Sequence, residues 1–174
     1  MRVQLIAISL LSTGILCAAQ APASGAGMAS EVRQAYTTIK NNLLRSADKM
    51  PEANYGFKPS PEMRSFAEVL DHVSDSQMRT CSAVAGDQKT PNAAGKSSKA
   101  DVTAALQEAF AECDKAYDSL TDANASEMIK AGRGQRTRIG ALVGNYSHDN
   151  EQYGILTVYM RLKGIIPPSS EPRK

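Results

Sequence analysis

Tryptophan is absent from this 174-residue chain, and only three phenylalanines and six tyrosines carry its aromatic content. A core built from it must be aliphatic and tyrosine-based. No charge of one sign dominates: the formal balance is +2 and the charges are interspersed. There is no basic stripe interleaved with aromatics, which removes the usual footprint of nucleic-acid binding. No Ser-His-Asp arrangement, phosphate-cradling glycine loop or cysteine ligand cluster can be assembled. No run of strand-like alternation of useful length is found either. Histidine occurs only twice, as His72 and His148, and cysteine three times, as Cys17, Cys81 and Cys113.

One long apolar run is present, and it is N-terminal. Met1-Arg2 precedes Val3 to Leu16, and Ala19-Gln20-Ala21 supplies small residues of the kind a signal peptidase reads. The run is short for a membrane span and no stop-transfer pattern follows. Residues 1–21 therefore read as a cleaved signal peptide, placing the mature protein in the periplasm or outside the cell, with no stable membrane span after cleavage. The rival reading is a lipoprotein signal ending at Cys17, where the preceding Leu16 is bulky for that role. Residues 22–29 read as a flexible linker. The remaining stretch, 30–170, is long enough for one domain with a real core.

Within it, apolar residues recur at spacings of three and four in four segments. The first follows Ser30, a candidate N-cap. It carries Val32, Tyr36, Ile39, Leu43, Ala47 and Met50, and Pro51 ends it. The second opens with the capping box Ser65-Phe66-Ala67-Glu68 and fades near Val84 and Gly86. The third opens at Ser98, with Val102, Leu106, Phe110, Cys113 and Tyr117 on its stripe. The stretch from Thr121 to Gly134 reads as a polar crossover with at most one helical turn. The fourth helix runs from about Thr137 to Lys163, with Gly164 where a C′ glycine belongs and Pro167-Pro168 beyond. It is apolar on two faces, Ile139/Leu142/Tyr146/Tyr153/Leu156/Met160 and Ile155/Tyr159, the latter shared with His148 and Gln152. Such a helix is buried between neighbours or meets a partner, so a homodimer is one expectation. The tyrosines Tyr55, Tyr146, Tyr153 and Tyr159 read as packing residues. The fold class is all-α, a four-helix bundle.

Two cysteines are left to the mature chain. In an exported protein such a pair more often bonds than stays free. Antiparallel second and third helices would separate Cys81 from Cys113 by about twelve residues, roughly 18 Å at 1.5 Å per residue, far beyond disulfide reach. Parallel helices set both about fifteen residues from their helix starts, and a loop of about thirteen residues can span the roughly 30 Å return. If Cys81 and Cys113 pair, the order is up-down-down-up. The alternative is two unpaired cysteines in the core.

The stretch Tyr55-Gly56-Phe57-Lys58-Pro59-Ser60-Pro61-Glu62-Met63-Arg64-Ser65-Phe66 followed by His72, together with Tyr146 to Tyr153 and the tail Arg161-Leu162-Lys163-Gly164-Ile165-Ile166-Pro167-Pro168-Ser169-Ser170, resembles the DinB-like (DinB/YfiT-like) family across the mature chain. The resemblance implies a four-helix bundle of up-down-down-up order. It further implies a divalent metal, zinc or nickel, held by one histidine of the second helix and two of the fourth, four residues apart. His72 and His148 match the first two positions; the third is Gln152. A neutral carboxamide is a weaker ligand than imidazole for either metal, so the site is expected to be weak or lost. Asp71, Asp149 and Glu151 adjoin these positions but point about 100° away on a helix. Asp75, three residues after His72, is the better-placed reserve.

Three functions follow: a metal-binding bundle with thiol-transferase-like or hydrolase-like chemistry, a non-catalytic bundle binding a small molecule or partner, or a structural homodimer. The reaction is not legible in the sequence.

Overall fold

A computed structural model describes residues 27–172, so the predicted signal peptide and Cys17 lie outside the described residues. Four helices dominate: α1 (Met28–Lys49), α2 (Phe66–Ala85), α3 (Lys99–Asp118) and α4 (Arg138–Leu162). Two short strands, β1 (Met128–Ala131) and β2 (Gly134–Thr137), form an antiparallel hairpin between α3 and α4. None of the described helices is long and apolar enough to cross a membrane.

Three of the four helix starts follow local chemistry. At α2, the Ser65 hydroxyl accepts the Glu68 N–H at 3.2 Å, and the Glu68 carboxylate accepts the Ser65 N–H at 2.5 Å. The oxygens of Ser98 and Thr137 accept from Asp101 and Gly140 at the starts of α3 and α4. Each satisfies a backbone donor that an isolated helix leaves unpaired. Ser65→Ala should therefore cost about 1 kcal/mol, read as a lowered urea midpoint at unchanged m-value.

The start of α1 departs from expectation. The cap residue is Gly27, not Ser30, and its side of the helix is capped from afar: the Ala29 N–H donates to Asp122 Oδ1 at 2.8 Å. A Cβ on Gly27 would stand 1.9 Å from Asp122 Oδ2, so glycine here admits the capping carboxylate. Met28 and Ala29 consequently belong to the helix and not to a linker.

Helix directions follow from the side chains that meet. Arg33 near the start of α1 donates to the Tyr117 carbonyl near the end of α3, and Lys99 at the start of α3 reaches Met50 past the end of α1. These two helices are antiparallel. Cys81 and Cys113, both near C-terminal ends, set α2 and α3 parallel: their sulfurs lie at bonding distance, with Cα atoms 4.8 Å apart. His72 faces His148 while Val84 meets Arg138, so α2 and α4 are antiparallel. The order is up-down-down-up, with α1 beside α3 and α4, and α2 beside α3 and α4.

The core is aliphatic with tyrosines inserted. Leu43, Leu70, Leu106, Leu142 and Leu156 are fully buried, one or more from each helix. Tyr36 stacks on Tyr117 with ring centroids 3.7 Å apart, and the Tyr117 hydroxyl donates to the Leu142 carbonyl. One contact thereby ties α1, α3 and α4. Burying each such side chain contributes roughly 1.5–3 kcal/mol as an upper estimate.

The hairpin is the element that the polar crossover reading missed. Gly132, with φ +61°, and Arg133 connect Ala131 to Gly134, the register of a two-residue turn with glycine first. Arg138, just beyond β2, donates to the Val84 carbonyl at 2.9 Å and pairs with Glu127 at 3.2 Å. It places a cation against the C-terminal carbonyls of α2, where the helix dipole favours one. The hairpin is thereby fixed over one end of the α2/α4 seam.

Candidate functional site at the seam of two antiparallel helices

His72 and His148 converge across that seam. Their Nε2 atoms are 3.0 Å apart, and the rings meet edge to face with centroids at 4.9 Å. Burial foremost, with Arg64, His148 and Arg79 adding to it, lowers the His72 pKa. A neutral ring offers a lone pair, as both hydrogen bonding to a second imidazole and metal ligation require. Two nitrogens bound at about 2.0–2.1 Å to one ion, at angles between square and tetrahedral, would stand roughly 2.9–3.4 Å apart. The observed pair meets that spacing.

Gln152, one turn along α4 from His148, is 5 % exposed, and its Oε1 has no hydrogen-bond partner among the described residues. It lines a cavity of about 430 Å³ with Arg64, Val69, Ile155 and Tyr159. A buried carbonyl oxygen without a donor costs about 1–3 kcal/mol unless something meets it, and the cavity that Gln152 lines includes neither His72 nor His148. Among the described residues no three His, Cys, Asp or Glu side chains converge as a metal group. The candidate set is two imidazoles and a carboxamide.

The acidic neighbours divide. Asp75 is committed elsewhere: its Oδ1 accepts the Ala93 N–H at 2.8 Å, pinning the α2–α3 loop. Glu151 is exposed. Asp149 is fully buried with both carboxylate oxygens unpaired, and Asp71 is nearly so. Burial pushes Asp149 up to about 6, opposed by His148, whose Nδ1 lies 3.8 Å away. That distance exceeds a hydrogen bond. Burial likewise pushes Asp71 up to about 6, with the backbone of Lys96 opposing it.

Both apolar faces of α4 place tyrosines in the bundle interior. Tyr159 is buried, and its hydroxyl donates to the Arg64 carbonyl at 2.6 Å. Tyr153 is also buried and bonds Ser169, and Tyr55 donates to the Ala47 carbonyl. Packing within one bundle buries Tyr153 and Tyr159, while Ile155 is half-buried. The stretch before α2 and the tail that carried the resemblance meet here as well, through Phe57 and Lys163. Phe57 packs edge to face on Tyr159 at 6.0 Å, and the Lys163 ammonium sits 3.8 Å over the Phe57 ring.

Residues that the sequence reading passed over also face the seam. Gln77 and Asn145 are buried and joined by a 3.0 Å hydrogen bond, and Asn145 also donates to the Tyr117 hydroxyl. Arg79 and Arg136 lie beside them. The available signal was helical spacing: Asn145 is three residues before His148, and Arg79 seven after His72.

A four-helix bundle of this order is the fold that the resemblance implied. The chain belongs to the DinB superfamily, whose family model matches residues 35–156. It is similar in structure to a DinB-like protein from Bacillus cereus ATCC 10987, with TM-score 0.68 at 14 % identity over 79 % of this chain and 93 % of that one. A DinB-like protein from Bacillus subtilis gives TM-score 0.65 at 19 % identity, over 83 % and 99 %. A conserved protein from Enterococcus faecalis gives 0.62 at 15 %, over 78 % and 96 %. At these identities the likeness establishes the fold. No curated protein matches the chain.

Proposed function

We propose that this is an exported DinB-like bundle that binds a divalent metal, zinc or nickel, weakly through His72 Nε2, His148 Nε2 and Gln152 Oε1. The observation that carries the reading is the 3.0 Å approach of the two Nε2 atoms, seconded by the unpartnered buried Gln152 oxygen. Two nitrogens and one neutral oxygen leave coordination positions open, and a metal so held supplies Lewis acidity to a water or thiol. The protein's own part is to hold His72 neutral by burial and to keep both rings at one height across the seam. The Gln152 carboxamide donates an oxygen without adding charge, which leaves affinity low.

The test is calorimetric titration of untagged protein with zinc and with nickel. Saturable binding of one ion per chain is expected, weakened at least tenfold, about 1.4 kcal/mol, in either His72→Ala or His148→Ala. Binding that is unchanged in both variants would place the metal elsewhere. No saturable binding in the parent protein would leave a bundle that works through a bound small molecule alone.

A further inference from the structure

A second feature of the seam lies on the other side of His148. A cavity of about 360 Å³ opens between α2, α4 and the hairpin, lined by Ser76, Arg79 and Thr80 of α2, Arg136 of β2, and Asn145 and His148 of α4. Its volume falls within the range of small-molecule sites. No carboxylate of the described residues lines it. Arg79 and Arg136 make no ion pair or hydrogen bond among the described residues, whereas Arg33, Arg45 and Arg138 are each paired with a carboxylate. Two unneutralised guanidinium groups in one concave wall raise the local concentration of anions, and their planar donor forks match carboxylate and phosphate oxygens.

Three further details fit a built site. Gly144 opens the α4 surface where Arg136 lies: a Cβ there would stand 3.0 Å from Arg136 Nη1. Ser76 and Thr80, one turn apart, present hydroxyls on the α2 side. Asn145 is 4 % exposed; its amide nitrogen is used by Gln77 and Tyr117, but its Oδ1 has no partner. That oxygen accepts and cannot donate, so it asks for a hydroxyl or amine of whatever fills the cavity.

We infer that this cavity binds a small organic oxyanion, its carboxylate or phosphate group held by Arg79 and Arg136 and a hydroxyl or amine meeting Asn145 Oδ1. His148 is shared between this cavity and the histidine pair, so the ligand's far end lies against the metal position proposed above. The anion site itself does not rest on that metal reading. It adds a substrate class to it: an anionic hydroxy or amino compound.

The experiment uses the mature protein in EDTA at low salt, so that failure here is separate from failure of metal binding. Inorganic phosphate, succinate and malate are titrated, following heat and the His148 ring resonances. Saturable binding with a His148 shift is expected. R79Q/R136Q should lose at least tenfold in affinity, while R133Q, on the same hairpin but outside the cavity, should stay within twofold. Malate should bind at least threefold tighter than succinate, because only malate carries the hydroxyl. Circular dichroism confirms that the variants fold. No binding of any anion, equal binding by R79Q/R136Q, or an equal loss in R133Q overturns the site. Equal affinity for malate and succinate overturns the role given to Asn145.

Discussion

Gln152→His should tighten zinc or nickel binding at least tenfold. The side chain already stands one turn from His148, buried, with an oxygen that no described residue satisfies. An imidazole placed there replaces a neutral oxygen with a nitrogen of the kind zinc and nickel prefer. One tenfold step is about 1.4 kcal/mol, a modest demand on one added ligand. In the metal-free protein the substitution exchanges one buried unsatisfied acceptor for another, so the variant should differ from its parent by no more than a repacking cost of about 1 kcal/mol. Titration calorimetry of both forms reads the first effect, and urea unfolding in EDTA the second. If the variant binds no more tightly, the three side chains do not converge on one ion.

Removing both cysteines, as C81A/C113A, should lower stability by about 3–4 kcal/mol relative to the oxidised protein. The two residues are 32 apart in sequence, and closing a loop of that length restrains the unfolded chain by this amount in the chain-entropy account. Both are fully buried, so the alanines also leave small cavities that add to the loss. Guanidinium unfolding with and without reductant separates the two parts, since reduction alone removes only the cross-link. Non-reducing peptide mapping of protein from its native compartment decides whether the bond forms there. Two free thiols would reassign the pair to core packing and reduce the expected loss to the cavity term.

What was legible in the sequence is what is local. The starts of α2, α3 and α4 were readable because Ser65, Ser98 and Thr137 cap through atoms three residues away. The start of α1 was not, because its cap comes from Asp122, 93 residues from the amide it accepts. Cys81 sits near the edge of the α2 stripe in the sequence pattern, yet it is fully buried. The stripe is widened there by α3 running parallel, a neighbour the pattern alone does not reveal. The hairpin escaped because each strand has four residues and the surface they present is largely exposed, leaving little alternation to read. Its signal was the turn, Gly132-Arg133 before Gly134, not the strands. At the site, the two histidines and Gln152 follow from helical spacing and resemblance. Arg136 does not, because only the hairpin's docking brings a residue outside the helices to the seam.

The Cys81–Cys113 contact divides the bundle mechanically. On one side of α2 lies α3, fastened by the sulfur pair and by the return loop, which is itself tied down at Asp75–Ala93 and at Lys89–Glu112. On the other side lies α4, held by side-chain packing and by hydrogen bonds such as Arg138 to Val84. The histidines face each other over this second, unriveted boundary. Their separation is therefore set by packing and hydrogen bonds alone, with no covalent tie across it. A ligand that grips both walls would supply the fastener this boundary lacks.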